Sequence, residues 1–220
     1  MTDRWATFDC YGTLIDWNSG LGNELVRLFG EERRPRLLAR YHEIEPLVEA
    51  AYRTISYRDV LERTLGRLAA EEGLSVPDDE RDALGRSLPS WHCFEEVPPA
   101  LEELRRRGWR LAILSNTDRD FIDASIERIG VAFDLAIVAS EIGSYKPAHG
   151  HWRAFERDVG RLPDAHVAAS LFHDVAPCNA LGLPCVWINR LAERPTTEWP
   201  TRELPNLTDL PGTLDELVPG

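Results

Sequence analysis

The sequence has few basic residues, no long hydrophobic run and no pattern of paired cysteines. Its 220 residues include 25 Lys and Arg against 37 Asp and Glu, which gives a net charge of −12. A chain this acidic is a poor candidate for binding nucleic acid or an anionic membrane surface. No apolar run approaches the roughly 18 residues that a membrane span needs. An anionic ligand would therefore have to be held by a few well-placed cations.

The four cysteines, Cys10, Cys93, Cys178 and Cys185, are scattered and include no C-x-x-C pair. A disulfide framework is therefore not expected. The first residues lack the basic start and the apolar stretch of a signal peptide, so a cytoplasmic protein is expected. Apolar residues make up 43% of the chain, which is enough for a hydrophobic core and excludes wholesale disorder.

Short apolar runs alternate with segments of helical spacing along most of the chain. The runs that predict buried strands are Trp5–Phe8, Arg110–Leu114, Leu135–Val138, Val167–Phe172 and Cys185–Ile188. The segments that predict helices between them are Pro98–Arg107, Asp118–Ile129 and His151–Val159. This alternation is typical of an α/β fold with a doubly wound parallel sheet. In such folds ligands bind beyond the carboxyl ends of the strands.

One region, residues 16–91, contains no convincing strand. Its spacing predicts helices over Leu21–Phe29, Pro35–Tyr52 and Tyr57–Glu72. We therefore expect a helical insert (residues 16–91) directly after the first strand, and a core formed by residues 1–15 and 92–220. The tail from Pro195 is expected to be loop, ending in a short helix near Leu214.

Asp9 directly follows the first predicted strand and opens a turn that contains Gly12 and Thr13. An aspartate in this position is either a turn or capping residue, or a carboxylate nucleophile held by N–H groups of the loop. Gly12 would let the backbone approach a ligand closely. The Thr13 hydroxyl is placed to donate a hydrogen bond to the carboxylate.

Polar residues also follow the second and third predicted strands. Thr117 or Asp118 is expected to cap the helix after the second strand. This leaves Ser115 and Asn116 as donors beside a helix N-terminus, which favours an anion. Lys146 is either a solvated loop residue or a cation that keeps the strand-end aspartate ionised by opposite-charge attraction.

Two histidine-containing segments remain. His173 and Asp174 follow the fourth predicted strand, and are either a core histidine with a capping aspartate or a polar pair that positions water. His149 and His151 have no evident third ligand near them in the sequence, so no metal site is expected there.

The order of these strand-end residues resembles the haloacid dehalogenase (HAD) superfamily. Its four motifs match Asp9, Ser115, Lys146 and Asp174 in sequence order, and the helical insert stands where that superfamily's first class of cap stands. The resemblance covers essentially the whole chain. It implies a Rossmann-like HAD core with an inserted helical cap, and an active site between the two.

The first motif distinguishes activities within the superfamily. Its phosphatases carry D-x-D, whose second aspartate protonates the leaving alcohol, whereas this sequence has Asp9-Cys10-Tyr11. A halide leaves as a stable anion and needs no proton. The D-x-Y-G-T-L form resembles the 2-haloacid dehalogenases, which use no metal or other cofactor and hydrolyse through an aspartyl ester.

The resemblance also implies catalytic roles. Asp9 corresponds to the nucleophile, Thr13 to its hydrogen-bond partner and Lys146 to the cation that keeps it ionised. Asp174 corresponds to the residue that positions water. The family usually has Ser and Asn just before this aspartate, and this sequence does not, so His173 is expected to share that role.

A small anionic substrate is expected to contact Tyr11, Ser115 and Asn116, with Ser115 holding its carboxylate and Asn116 receiving the halide. Arg40 is the best match for the arginine with which the family's cap receives the halide. Trp152 stands where the family has a tyrosine, six residues after the motif lysine. Dimers are common among such enzymes, and no homodimer interface can be identified in the residues.

Two other functions remain open at this point. A magnesium-dependent phosphatase of the same superfamily would use Asp9, the Tyr11 carbonyl and Asp174 as metal ligands, but its second aspartate is missing. A non-catalytic binding protein on the same fold is the other alternative. The joint presence of Asp9, Ser115 and Lys146 argues against it.

Overall fold

The computed structural model describes residues 3–52, 55–195 and 197–220. Its strands are β1 Arg4–Phe8, β2 Trp109–Ser115, β3 Leu135–Val138, β4 Ala165–Ala168, β5 Cys185–Ile188 and β6 Arg202–Leu204. Within the described residues they form one parallel sheet in the order β3-β2-β1-β4-β5-β6. The strand order reverses beside β1, which is where ligands bind in open α/β sheets. The predicted doubly wound parallel sheet is confirmed.

Helices connect and cover these strands. They are α1 Trp17–Phe29, α2 Arg34–Ala51, α3 Tyr57–Glu71, α4 Ala83–Ser87, α5 Val97–Arg106, α6 Arg119–Ile129, α7 Ala139–Ile142, α8 Gly150–Val159, α9 Ala176–Leu181 and α10 Leu210–Leu217. Short 3₁₀ turns lie at Glu31–Arg33, Asp78–Glu80 and Leu88–Ser90. Among the described residues no helix is long and apolar enough to cross a membrane.

Apolar side chains cover both faces of the sheet. Leu111 and Ile113 of β2 belong to a large buried cluster, whereas Ala112 and Leu114 belong to a second one. Because successive side chains of a strand point to opposite faces, the two clusters lie on opposite sides of the sheet. The larger cluster continues into α1, α2 and α3, so the helical insert packs on the sheet through an apolar core. The division into a core and an insert domain stays a prediction.

Two segments of the sheet differ from the predicted ones. β4 ends at Ala168, and Leu171–Val175 form a π-helical turn that continues into α9, where the sequence predicted more strand. The Val175 N–H donates to the Ser170 carbonyl, five residues earlier, at 3.2 Å, and this five-residue separation is that of a π-turn. β6 lies in the tail predicted to be loop, where it pairs with β5 at the sheet edge. The predicted terminal helix near Leu214 is present as α10.

The sequence suggested that Asp118 caps α6 through its side chain, but this side chain makes no capping hydrogen bond to α6. Its carboxylate instead accepts the backbone N–H groups of Tyr57 and Arg58, each at 3.0 Å. These are orphan donors of the first turn of α3, so Asp118 satisfies the N-terminus of a helix in the insert. At the same end of α3, the Tyr145 hydroxyl donates to the Ile55 carbonyl at 3.0 Å. Both contacts tie the insert to the core.

Candidate active site

A cavity of about 870 Å³ lies at the carboxyl ends of the strands, between the sheet and the helical insert. The core contributes strand-end residues to its wall, among them Asp9, Ser115, Asn116, Lys146 and Asp174. The insert contributes Trp17, His42, Glu45, Glu49 and Tyr57. The parallel sheet therefore brings together residues from four strand ends that are far apart in the sequence.

Asp9 lies at the floor of this cavity and is 8% exposed. Its Oδ2 accepts a hydrogen bond from Thr13 Oγ1 at 2.8 Å, and its Oδ1 accepts one from Lys146 Nζ at 2.9 Å. Thr13 Oγ1 in turn accepts the N–H of Ala169 at 2.9 Å. The turn itself depends on Gly12, whose φ of +87° is a conformation that favours glycine. The local fold thus holds both carboxylate oxygens with donors.

Lys146, the only lysine in the sequence, is buried between two carboxylates. Its Nζ donates to Asp9 Oδ1 at 2.9 Å, to Asp174 Oδ1 at 2.7 Å and to the Leu114 carbonyl at 2.9 Å. Burial alone would lower the pKa of Lys146, but the two carboxylates outweigh it and raise that pKa above its ordinary value. Lys146 therefore carries a fixed positive charge against Asp9.

Asn116 positions this lysine through its backbone. Its Oδ1 accepts the Lys146 N–H at 2.6 Å, and its Nδ2 donates to the Lys146 carbonyl at 3.0 Å. The side-chain amide thereby fixes the loop between α7 and α8, a structural task in addition to the predicted contact with substrate. Ser115 is 1% exposed, and its Oγ has no hydrogen-bond partner among the described residues. This hydroxyl is free to bind a ligand in the cavity.

Asp174 is fully buried and is held on one oxygen. Its Oδ1 accepts hydrogen bonds from Lys146 and from His166 Nε2, the latter at 2.9 Å. Burial would raise the pKa of Asp174, but Lys146 and then His166 outweigh it and hold that pKa well below its usual range. Thr7 Oγ1 lies 2.8 Å from the other ring nitrogen of His166. The sequence reasoning missed His166, although a histidine inside a buried strand is a usable signal.

His173 lies on the π-helical turn and faces the cavity together with Ser170. Its Nδ1 is 3.2 Å from Ser170 Oγ, and its Nε2 is 3.4 Å from Glu49 Oε2 on α2. Burial lowers the pKa of His173, but Glu49 outweighs it, so the pKa is raised. Burial and then the charge of Glu49 raise the pKa of nearby Glu45 to about 8. Sequence reasoning identified His173 and missed Glu49, Ser170 and Glu45.

The structure does not bring Arg40 or Trp152 to the cavity. Arg40 lies on the solvent side of α2, where it pairs with Glu43 and Glu71. Its predicted role as the halide-receiving residue is corrected accordingly. Trp152 is fully buried behind the sheet, with its ring centroid 5.4 Å from that of His166, and packs there instead of contacting a substrate.

The arginine that does line the cavity is Arg190, in the loop after β5. Its Nη2 donates to the Thr13 carbonyl at 2.8 Å, its Nη1 is 2.7 Å from Glu96 Oε1, and its guanidinium lies 3.5 Å above the Phe94 ring. Arg190 therefore supports the turn that carries Asp9. Tyr11 also lines the cavity, and its hydroxyl lies 3.1 Å from Ser125 Oγ.

A magnesium site of the phosphatase type does not fit these residues. It would use the carboxylates of Asp9 and Asp174, and the Lys146 ammonium already bridges them. Tyr11 stands where such a phosphatase carries the aspartate that protonates the leaving alcohol. Across residues 3–52, 55–195 and 197–220, no group of three or more His, Cys, Asp or Glu side chains is arranged to hold a metal.

Known proteins with similar sequences include both dehalogenases and phosphatases. The (S)-2-haloacid dehalogenase of Pseudomonas sp. strain YL is 30% identical over 192 residues, covering 85% of this chain and 83% of that protein. A phosphoserine phosphatase of Thermus thermophilus is 30% identical over 131 residues, covering only 56% of this chain and 53% of that protein. The dehalogenase match thus extends through both the insert and the core.

The fold has close counterparts among solved structures. The L-2-haloacid dehalogenase of Xanthobacter autotrophicus superposes with a TM-score of 0.85 at 20% identity, covering 97% of this chain and 98% of that one. The family model of haloacid dehalogenase-like hydrolases matches residues 4–169, a range that contains Asp9, Ser115 and Lys146. With the strand order and the motif geometry described above, these matches show that the chain belongs to the haloacid dehalogenase-like hydrolases.

Proposed function

We propose that this chain hydrolyses the carbon–halogen bond of a short 2-haloacid through an ester intermediate at Asp9. The observation that carries the proposal is the set of contacts around Asp9. Lys146 and Thr13 hold its two oxygens, and Tyr11 replaces the acid that a phosphatase would place two residues further on. The similarity to an (S)-2-haloacid dehalogenase supports the same substrate class, with the (S) configuration.

In the first half of the reaction, a carboxylate oxygen of Asp9 attacks the carbon that bears the halogen. The new C–O bond forms as the C–halogen bond breaks, so the halide takes the electron pair and needs no acid. Ser115 Oγ, which has no partner among the described residues, binds the substrate carboxylate. Asn116 Nδ2 has a second hydrogen beyond the one donated to Lys146, and that hydrogen faces the departing halide.

In the second half, water attacks the carbonyl carbon of the Asp9 ester. The C–O bond between the Asp9 carbonyl carbon and the oxygen attached to the substrate breaks, which releases a 2-hydroxyacid and restores the carboxylate. Lys146 stays protonated throughout, because its contacts with Asp174 and the Leu114 carbonyl do not depend on the state of Asp9. Its charge stabilises the oxyanion that develops on the ester carbonyl.

A substrate screen tests this function directly. Halide release would be measured for (S)- and (R)-2-chloropropionate, chloroacetate and bromoacetate, with and without a chelator, alongside simple phosphate esters. We expect halide release from the haloacids, unchanged by the chelator. Phosphate ester hydrolysis that requires magnesium, without halide release, would replace this function by that of a phosphatase. Turnover of neither class would favour a binding protein.

A further inference from the structure

Ser170, His173 and Glu49 form a polar row along the cavity wall beside Asp9. His173 Nδ1 lies 3.2 Å from Ser170 Oγ, and His173 Nε2 lies 3.4 Å from Glu49 Oε2. Glu49 is 7% exposed and comes from the helical insert, whereas the other two residues follow β4 of the core. The order of hydroxyl, imidazole and carboxylate is the order in which hydrolases activate an oxygen nucleophile.

The partners of the two ring nitrogens favour Nδ1 of His173 as the basic one. Ser170 Oγ accepts the backbone N–H of His173 at 3.0 Å, which leaves its own hydrogen free to point at Nδ1. An ionised Glu49 can only accept, so Nε2 carries the ring hydrogen that faces it. His173 Nδ1 is then the nitrogen with a free lone pair, and it faces the hydroxyl of Ser170.

The three charged groups around the ester are less suited to take a proton from water. Lys146 and His166 occupy Asp174 Oδ1 and hold the pKa of Asp174 well below its usual range, so its Oδ2, which has no partner among the described residues, is a weak base. Lys146 has no lone pair while it is charged, and Asp9 is consumed in the ester. His173 lines the same cavity, and Glu49 raises its pKa against the effect of burial, which makes its imidazole a suitable proton acceptor.

The row is also close to the ester. Thr13 Oγ1, which contacts Asp9 at 2.8 Å, accepts the backbone N–H of Ala169 at 2.9 Å. Ser170 is the next residue along the chain and lines the same cavity. A water molecule near Ser170 Oγ would therefore lie in the same cavity as the Asp9 ester.

We infer that His173 is the proton acceptor for hydrolysis of the Asp9 ester, with Ser170 passing the proton and Glu49 positioning the ring; this rests on the proposed dehalogenation. As the oxygen of water bonds to the ester carbonyl carbon, its O–H bond breaks and the proton moves to Ser170 Oγ. The hydroxyl proton of Ser170 moves to His173 Nδ1 in the same step. When the intermediate collapses, the departing 2-hydroxyacid oxygen takes that proton back by the same path.

Single-turnover experiments separate this role from substrate binding. Wild type and the His173→Gln, Glu49→Gln and Ser170→Ala variants would be mixed with (S)-2-chloropropionate, and both chloride and 2-hydroxyacid would be measured over time. His173→Gln should release about one chloride per active site and then stall, with steady turnover lower by about 10²- to 10⁴-fold. The peptide that contains Asp9 should then carry the added mass of the ester. Glu49→Gln and Ser170→Ala should accumulate the same ester to a smaller extent.

Exposed residues of the same types serve as controls. His92→Gln and Glu43→Gln change a histidine and a glutamate outside the cavity, and both should turn over like wild type. Full turnover by folded His173→Gln, or loss of its first chloride as well, would overturn the relay while leaving the dehalogenase function in place. If His173→Gln does not fold, Glu49→Gln decides in the same way. A wild type that releases no halide would overturn the proposed function, and the relay with it.

Discussion

A small number of buried charges holds the residues of this site in place. Lys146 is one cation between the carboxylates of Asp9 and Asp174, at 2.9 and 2.7 Å, and its side chain is 1% exposed. Removing it would leave two carboxylates facing each other with no cation between them. Breaking a buried pair in this way costs far more than the net stabilisation that the intact pair contributes.

Lys146→Met should lower the free energy of unfolding by about 3–5 kcal/mol at neutral pH. The loss should shrink in acid. The pKa of Asp174 is depressed in the folded wild type, so its stabilisation is present above about pH 4, the value for an unfolded aspartate, and is lost as the pH falls further. Urea denaturation of both proteins at neutral pH and below about pH 4 measures the difference. If the difference in unfolding free energy between wild type and Lys146→Met does not change with pH, this account of Asp174 is contradicted.

Asp9→Asn should abolish turnover and leave the fold intact. The carboxamide has nearly the same shape, and its oxygen can still accept from Lys146 while its NH2 group donates to Thr13 Oγ1, but it is a very poor nucleophile. We expect halide release to fall by several orders of magnitude, as for other nucleophile substitutions. Circular dichroism recorded with the activity assay gives the control. A folded variant that still releases halide at a substantial rate would show that Asp9 is not the nucleophile.

Among the elements, α2 shows where prediction from the sequence stops. Its boundaries follow from helical spacing, but the face that turns to the cavity does not. Arg40 and Glu49 are nine residues apart, which places them on opposite sides of a helix, about 180° apart. Packing of the insert on the sheet turns Glu49 inward, so Arg40 faces solvent. Because α2 carries charged residues on both faces, its sequence pattern does not show which face turns to the cavity.

The strand-end residues were easier to predict, because a buried apolar run shows where a parallel strand ends. Asp9, Ser115 and Lys146 follow such runs, and the structure brings them into one cavity. β4 was misplaced because His166 interrupts its apolar run at the start. β6 was missed because it is a three-residue edge strand, Arg202–Leu204, with two exposed members and hardly any apolar signal.

The turn after β1 depends on a glycine backbone. A Cβ on Gly12 would meet only Ala169 Cβ at 3.8 Å, an ordinary contact, so the penalty comes from its φ of +87°. Gly12→Ala should therefore destabilise the protein by roughly 1–2 kcal/mol. Gly66→Ala in α3, with nothing within 4 Å of its added Cβ, should instead stabilise it by about 0.5–1 kcal/mol. Chemical denaturation of both variants tests the difference, and equal effects would contradict it.

Across the whole molecule, the insert and the core together make the cavity. Polar contacts join them at Asp118, at Tyr145 and at the His173–Glu49 pair. The acidic wall that the insert presents, with Glu45 and Glu49, faces the strand ends of the core with Lys146. The cavity therefore exists only when the two parts are docked.

Asp118→Ala should weaken this docking. It removes the acceptor for two N–H groups at the start of α3, each at 3.0 Å, which should cost about 1–2 kcal/mol of stability. Asp120→Ala is the matched control, because Asp120 is 64% exposed and within the described part of the chain forms only a surface pair with Arg58, so its loss should change stability by less than about 0.5 kcal/mol. Thermal or urea unfolding gives both values. Similar effects from the two variants would show that Asp118 does not anchor the insert.

Attack by the Asp9 carboxylate is the central claim, and a single turnover in oxygen-18 water tests it most directly. With enzyme in excess over (S)-2-chloropropionate, the product hydroxyl oxygen should come from Asp9, and oxygen from water should enter the Asp9 carboxylate. Mass spectrometry should therefore find the label in the peptide that contains Asp9, and the product of the first turnover largely unlabelled. Label in that product, with none in the Asp9 peptide, would mean that water attacks the substrate directly and would contradict the covalent mechanism.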